Sequence, residues 1–284
     1  MTHKKTIFAI ISSLVLGAGV VACSNVESKK SLENAHVVVA SVGADAQIWK
    51  YIAQSDEAKQ AGLDIEVKEI NDGVALNRAV IDQDADVNAF QSWGYFKAFN
   101  QIHGEQLVAI STTYLEPMGL YSSKYKTLND LPHAAKVAIP NDAANTARAL
   151  RLLEQAKLIQ LDSHFNAIRG NLKDITANPK KLKIELIKGP SGPRVLPDVD
   201  LVAIGNTDAL DSGLNVLQQS LARENVGERT TQNINILVVN KARANDANLA
   251  KLGKLYHQPF VAQYIQKHFG GTKVDVDQPI SSLN

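Results

Sequence analysis

Apolar and polar positions along the chain follow two periods, one typical of β-strands and one typical of α-helices. The run His36–Val42 is continuous and β-branched, as in a strand buried on both faces, whereas Leu63–Ile70 alternates apolar and polar residues. Between them a helical pattern opens after Gly43 and ends near Gly62. The same periods predict further strands at 86–90, 107–114, 137–140, 183–187, 201–204 and 234–239, and helices at 74–81, 93–102, 143–156, 208–224 and 248–268.

Successive β-α-β units of this kind predict an α/β fold, with mostly parallel sheets flanked by helices on both faces. The pattern restarts at Lys136, after an extended segment, Tyr114–Tyr125, that carries Pro117 and Gly119 and suits a crossover between two bodies. We therefore predict two lobes with a cleft between them. Residues 35–117 and 236–284 form the first lobe, and residues 118–235 form the second.

The first residues of the chain predict export. Lys4 and Lys5 precede an apolar stretch that is too short to span a bilayer comfortably, so residues 1–22 are predicted to be a signal peptide. The only cysteine, Cys23, follows Val-Val-Ala, which resembles the lipobox of bacterial lipoproteins, and residues 23–34 form a polar tether. We expect Cys23 to be lipidated. The alternatives are an incidental thiol after an ordinary signal, or an uncleaved anchor.

Composition excludes several classes of protein. Of 284 residues, 45% are hydrophobic, which is incompatible with intrinsic disorder. A formal net charge of +1 gives no basic excess for binding nucleic acid, and one cysteine allows neither an intramolecular disulfide nor a cysteine zinc site. We find no phosphate-binding glycine loop and no nucleophile motif, so we expect neither an enzyme, nor a metal, nor an organic cofactor.

A polar helix start gives the first candidate binding site. The strand that ends at Pro140 is followed by a helix whose first residues include Asn141, Asn145 and Arg148 on one face. A guanidinium beside the amides of a helix N-terminus suits a carboxylate ligand. The alternative is a solvated polar face, in which Arg148 pairs with Glu154 or another acid.

An aromatic cluster gives the second candidate. Phe90, Trp93 and Tyr95 lie close in sequence to Asn88 and Gln91. Aromatic residues that flank polar ones after a strand form the wall of many small-molecule pockets. Ordinary core packing remains the alternative for these residues.

Several segments together resemble the NlpA/MetQ family, the lipid-anchored substrate-binding components of methionine ABC importers. The resemblance rests on the lipobox cysteine, the 86–95 segment (DVNAFQSWGY), the segment YLEPMGLYS at 114–122, the block IPND-x-x-N-x-x-RAL at 139–150, Leu196-Pro197 with Asp200-Leu201, and NILVV at 235–239. It implies a two-lobed periplasmic-binding-protein architecture (type II-like), whose lobes are joined by two crossover strands and close over an L-amino acid.

The resemblance also implies a role. The protein would capture methionine, or a related amino acid or small peptide, and deliver it to an ABC permease and its ATPase. It would be lipid-anchored to the bacterial cell envelope, on the cell membrane or the outer membrane. The implied ligand-binding residues are Phe90, Gln91, Tyr95, Asn145, Arg148, Asn206 and Asn235.

Four positions depart from the family pattern. Ser92 stands where the family commonly has His, Gly73 replaces an aromatic residue, and Asp208 and Asn233 each replace Tyr. These departures predict a side-chain pocket that differs from that of a typical methionine binder. The alternative function, from another class, is a lipid-anchored structural or adhesive lipoprotein that has kept the fold but lost transport.

Overall fold

In this computed structural model the described residues are 34–225 and 228–283, without the side chains at 228 and 229. The predictions for the signal peptide, for Cys23 and for nearly all of the tether therefore lie outside the described residues. The strands are β1 Ala35–Ser41, β2 Leu63–Glu69, β3 Val87–Ser92, β4 Leu107–Leu115, β5 Gly119–Tyr121, β6 Lys136–Pro140, β7 Gln160–Leu161, β8 Ile175–Ala177, β9 Lys183–Ile187, β10 Leu201–Ile204, β11 Ala222–Arg223, β12 Ile234–Asn240 and β13 Val274–Asp275.

The helices flank these strands in the order that the hydrophobic periods predict. They are α1 Gly43–Ala53, α2 Asp56–Gln60, α3 Gly73–Ile81, α4 Trp93–His103, α5 Ala143–Gln155, α6 Gly192–Val195, α7 Asn206–Asp211, α8 Val216–Gln219, α9 Ala247–Tyr256 and α10 Pro259–Phe269.

Two sheets carry the fold. The first has six strands in the order β13-β4-β12-β3-β1-β2, and the second has five in the order β11-β5-β10-β6-β9. We call each sheet with its helices lobe 1 and lobe 2, respectively. The residue boundaries given above for the lobes stay a prediction.

Most strands of each sheet run in one direction, as predicted, and each sheet also contains antiparallel neighbours. In lobe 1, β1 pairs in parallel with β2 and β3, but β12 runs antiparallel to both β3 and β4. In lobe 2, β10-β6-β9 are parallel and β5 is antiparallel to β10 and β11. The antiparallel pairing of β4 with β12 results from the two crossings between the lobes. The chain leaves lobe 1 through β4 and returns through β12, so these neighbouring strands run in opposite directions.

Each sheet is covered by helices on both faces. In lobe 1, Trp49 of α1 and Tyr256 of α9 pack on one face, and Trp93 and Phe96 of α4 pack on the other. In lobe 2, Leu150 of α5 joins the cluster on one face of the sheet. The opposite face is covered by residues of α7 and α8. The cores thus leave the polar residues at the strand ends free to face the space between the lobes.

Three predicted long helices are interrupted, and each interruption has a local cause. Ser55 accepts a hydrogen bond from the Ala58 N–H at 3.1 Å and starts α2 as a separate helix. Pro259 begins α10, because proline lacks the N–H that a continuous helix needs. The predicted helix over 208–224 stops at Asp211, and Gly213 continues the chain with φ of +75°.

Candidate functional site

A cleft of about 500 Å³ lies between the two lobes. Its walls combine residues that follow strands of lobe 1 with residues from the start of α5 and α7 in lobe 2. Ligands of open α/β folds bind at such strand ends. Among its lining residues are six of the seven predicted site residues: Phe90, Gln91, Tyr95, Asn145, Arg148 and Asn235.

Arg148 is held by an internal carboxylate. Its Nε donates to Glu224 Oε1 at 2.8 Å and its Nη2 donates to Glu224 Oε2 at 2.6 Å. Nη2 also donates to the Glu116 carbonyl at 2.7 Å. The two side chains are only 11% and 10% exposed, so this is a nearly buried ion pair. Of the two interpretations of Arg148, its pairing with another acid is therefore observed, although the acid is Glu224 and not Glu154.

The pairing leaves one edge of the guanidinium open. Within the described part of the chain, Nη1 of Arg148 has no hydrogen-bond partner, although the residue lines the cleft. Nη1 carries two N–H donors. The arginine can therefore contact a ligand while it remains neutralised from behind by Glu224.

The N-terminus of α5 lies beside this arginine. Asp142 caps the helix by accepting hydrogen bonds from the Asn145 N–H at 2.9 Å and from Asn145 Nδ2 at 3.0 Å. Burial raises the pKa of Asp142, against the lowering effect of the Asn145 donors. Asn145 thus lines the cleft with its amide group held in one orientation by the cap.

The aromatic wall is formed by Phe90 and Tyr95, whose rings meet edge to face at 5.7 Å. Burial raises the pKa of the Tyr95 phenol, so it is neutral at physiological pH. A Cβ atom on Gly73 would lie 2.5 Å from the Tyr95 oxygen. The glycine therefore provides the space into which Tyr95 extends. Trp93, the third residue of the predicted aromatic cluster, belongs to the lobe 1 core.

Gln91 is committed to a buried amide network. Its Nε2 donates to Asn77 Oδ1 at 2.6 Å and to Asn88 Oδ1 at 2.8 Å, while its Oε1 accepts from Asn77 Nδ2 at 3.2 Å. All three side chains are almost fully buried. The network ties α3 to β3, so Gln91 supports the cleft wall with its hydrogen-bonding groups largely used.

Asn235 and Asn206 differ in position. Asn235 is on β12 opposite Ser92 of β3 and lines the cleft. Asn206 does not line the cleft. It is buried at the start of α7, where its Nδ2 donates to Glu116 Oε2 at 2.9 Å and to Thr272 Oγ1 at 3.2 Å.

Below the cleft lies a buried charge cluster that joins both lobes. The Lys273 ammonium, fully buried, lies 2.9 Å from Asp45 Oδ1 and 2.6 Å from Glu116 Oε2. Lys273 also donates to Thr207 Oγ1 at 3.0 Å. Burial alone lowers the pKa of Lys273, but the two carboxylates raise it above its usual value. The cluster joins α1, the first crossing, α7 and the C-terminal segment.

Sequence reasoning missed Glu116, Glu224 and Lys273. The sequence does contain an indication for Glu116, because it is the one acid in the otherwise uncharged segment 114–122. The sequence gives no such indication for Glu224 or Lys273, since each is in a polar stretch that is typical of a surface. Their partners are far along the chain.

The described residues contain no group of three or more His, Cys, Asp or Glu side chains arranged to hold a metal ion. Within the same residues, no helix is both long enough and apolar enough to cross a membrane. What the cleft does offer is a set of hydrogen-bond donors, aromatic faces and carboxylates. Such a set suits the binding of a small polar ligand.

Comparison with known proteins supports this description. Residues 37–276 match the NlpA lipoprotein family. The chain is 31% identical to the D-methionine-binding lipoprotein MetQ of Escherichia coli strain K12 over 276 residues, which cover 96% of this chain and 99% of that protein.

Two solved structures are close in fold. A nutrient binding protein from Burkholderia cenocepacia bound to methionine has a TM-score of 0.80 and 35% identity, covering 84% of this chain and 99% of that one. A periplasmic substrate-binding protein of an ABC transporter from Coxiella burnetii has a TM-score of 0.80 and 35% identity, covering 84% and 100%. The two-lobed periplasmic-binding-protein fold predicted from the sequence is thereby confirmed. Because the family match spans both lobes and the cleft between them, the chain belongs to the NlpA lipoprotein family.

Proposed function

We propose that this protein is the substrate-binding lipoprotein of an ABC importer, which captures an L-amino acid or a small peptide in the cleft between its lobes and delivers it to the permease and its ATPase. The observation that carries the proposal is the cleft itself. It is large enough for an amino acid and brings polar groups of lobe 2 opposite aromatic groups of lobe 1. The relatives named as methionine-binding proteins support the ligand class.

The chemistry of the cleft assigns a role to each wall. On the lobe 2 side, the open Nη1 of Arg148 and the Asn145 amide would hold the ligand carboxylate, aided by the positive end of α5. On the lobe 1 side, Phe90 and Tyr95 would pack against the ligand side chain, and Asn235 would bind polar atoms of the ligand. Gln91 and Asn206 would act from behind, by keeping the walls in place.

Capture requires motion but no bond chemistry. Two segments connect the lobes, one between β4 and β5 and one between β11 and β12. We expect the lobes to open and close about these two crossings. Binding and release transfer no atoms or electrons. The proposed function therefore needs neither catalytic residues nor a metal nor an organic cofactor.

The location of the protein follows from its family. Its relatives include lipoproteins by name. We infer that Cys23 carries the lipid and that the protein is anchored to the bacterial cell envelope, facing the permease that it serves. The anchor keeps the binding protein near its transporter without a membrane-spanning segment.

The test is stabilisation by ligand, together with identification of the ligand that co-purifies. Free amino acids and dipeptides should be screened by thermal unfolding, and ligand released from denatured protein should be identified by mass spectrometry. A ligand at 100 times its Kd should add about 2.7 kcal/mol to the free energy of unfolding. If no ligand co-purifies and none stabilises the protein, the transport function is wrong and the structural or adhesive lipoprotein is the better account.

A further inference from the structure

An aspartate in the cleft has no partner among the described residues. Asp208 is on α7, lines the cleft, and lies against Gly189 at the edge of lobe 2. No donor among the described residues makes a hydrogen bond or an ion pair with its carboxylate, although the donors Lys188 and Arg194 line the same cleft. We propose that Asp208 binds a cationic nitrogen of the ligand and thereby selects ligands that carry an ammonium or guanidinium group.

The other charges of the cleft floor are already compensated or are negative. Glu224 neutralises Arg148, and one Lys273 is shared by Asp45 and Glu116. The arginine that is expected to attract an anion is therefore part of a neutral pair, and the lysine cluster keeps a net negative charge. Among the described residues, the uncompensated positive charges that line the cleft are Lys188 and Arg194, and both are exposed at its edge.

The field around Asp208 also favours a cation. Burial, as the largest cause, and the negative charges of Asp211, Glu116, Asp45 and Asp142 together raise the pKa of Asp208 to about 7. A carboxyl group in this position is only partly ionised at neutral pH when nothing is bound. A bound cation would remove the repulsion and stabilise the ionised form.

Closure of the lobes does not supply the missing partner. Two cations at the edge of the cleft, Lys188 and Arg194, are exposed and belong to lobe 2, as Asp208 does. Rigid movement of one lobe against the other leaves the backbone positions of Lys188 and Arg194 relative to Asp208 unchanged. Arg194 donates to its neighbour Ser191 at 3.3 Å. The cation that pairs with Asp208 is therefore expected to arrive with the ligand.

This inference rests on the proposed function and adds the chemical class of the ligand. A cationic nitrogen can come from a basic side chain or from the α-ammonium of any amino acid. Lysine and norleucine separate the two sources, since norleucine has an unbranched side chain of the same carbon count without the ε-ammonium. Arginine and citrulline form a second pair, because citrulline replaces the guanidinium with a neutral group of similar shape.

The experiment is calorimetry of these four amino acids and of Lys-Ala and Ala-Ala with the full protein in detergent, at pH 8, where Asp208 is ionised. Wild type is compared with Asp208→Asn and with the control Asp211→Asn. Asp211 carries the same charge on the same helix, but it does not line the cleft, and it accepts a hydrogen bond from the Ala44 N–H of α1. We expect Asp208→Asn to weaken binding of the cationic ligand by roughly 10- to 100-fold, and Asp211→Asn to weaken it far less.

The outcomes show which nitrogen of the ligand is bound, and they distinguish failure of the Asp208 assignment from failure of the proposed function. If Asp208→Asn removes a preference for lysine over norleucine, the nitrogen bound by Asp208 is in the side chain of the ligand. If Asp208→Asn weakens the binding of lysine and of norleucine equally, the nitrogen bound by Asp208 is the α-ammonium. If wild type and Asp208→Asn bind the same ligands equally well, the assignment of Asp208 is wrong while the proposed function stands. If wild type binds the co-purifying ligand but none of these six, the assignment of Asp208 is wrong while the proposed function stands. If no amino acid or dipeptide binds at all, the proposed function fails and the assignment fails with it.

Discussion

At the scale of single residues, the shape of the cleft depends on a missing side chain. Gly73 begins α3, and its lack of a Cβ leaves room for the Tyr95 hydroxyl, which would otherwise lie 2.5 Å from that atom. Phe90 bounds the same space, since its Cε2 would lie 3.1 Å from the added Cβ. The aromatic wall is thus set by three residues on consecutive elements, of which the glycine decides how far Tyr95 extends.

We expect Gly73→Ala to displace the Tyr95 ring and to weaken ligand binding by about tenfold or more, because overpacking typically costs 1–3 kcal/mol. Calorimetry with the ligand identified by mass spectrometry measures the effect. The closest atom is the hydroxyl oxygen, so Gly73→Ala combined with Tyr95→Phe should recover part of the lost affinity. Unchanged affinity in Gly73→Ala alone would mean that Tyr95 does not form the wall of the binding site.

At the scale of elements, the pair of Arg148 and Glu224 connects α5 with the chain just after β11. Glu224 also accepts a hydrogen bond from the Met118 N–H at 2.7 Å and from Asn233 Nδ2 at 3.1 Å. One carboxylate therefore links a helix of lobe 2 with segments of both crossings. The pair has a structural role in addition to any contact with ligand, because each charge would be nearly buried without the other.

Arg148→Ala should both abolish strong ligand binding and destabilise the protein. Removal of one partner from a buried ion pair typically costs about 3–5 kcal/mol, since the remaining charge is left uncompensated. Urea unfolding of the ligand-free protein measures this cost.

A double variant separates the two roles of Arg148. Arg148→Met with Glu224→Gln removes both charges and keeps an acceptor for the Met118 N–H, so it should regain most of the stability but not the affinity. Recovery of full affinity in the double variant would show that Arg148 does not contact the ligand. Wild-type stability in Arg148→Ala would show that the pair with Glu224 is not formed in solution.

At the scale of the whole molecule, the two lobes meet at the charge cluster around Lys273. This lysine, from the C-terminal segment, contacts Asp45 of α1, Glu116 of the first crossing and Thr207 of α7. Its ring-face contact with Tyr114, at 4.1 Å from the centroid, adds a further restraint. Because this cluster contacts both lobes beside the first crossing, it restrains the end of the cleft about which the lobes move.

We expect Lys273→Met to lower the free energy of unfolding by about 3–5 kcal/mol, since two buried carboxylates lose their counter-ion. Without the ammonium, the pKa values of Asp45 and Glu116 rise in the folded state. The folded protein then binds more protons than the unfolded chain, so the deficit should be larger at pH 8 than at pH 5. Thermal unfolding at both pH values measures it.

The matched control is Lys267→Met, which removes the same charge from an exposed position on α10. It should change stability by less than about 0.5 kcal/mol. An equal loss of stability in both variants, or a deficit for Lys273→Met that does not depend on pH, would contradict the role assigned to the cluster.

The sequence by itself determined the local elements of this protein and the family to which it belongs. Strand and helix periods located β1, β2 and α5 within one or two residues, because these patterns reflect which face of each element is buried. A helix cap at Asn141 or Asp142 could also be predicted, because a cap depends only on neighbouring residues, and the structure shows that Asp142 is the cap. The breaks at Ser55 and Gly213 were missed, although both have local causes.

Only the tertiary structure decided which charges meet. Arg148 is 76 residues from Glu224, and Lys273 is 228 residues from Asp45, so no spacing rule connects them. The antiparallel strands of each sheet likewise follow from how the chain crosses between lobes. That Asp208 has no partner among the described residues likewise depends on every side chain around it. Periodicity records the burial of an element, whereas charge pairing depends on long-range contacts that leave no periodic signal in the chain.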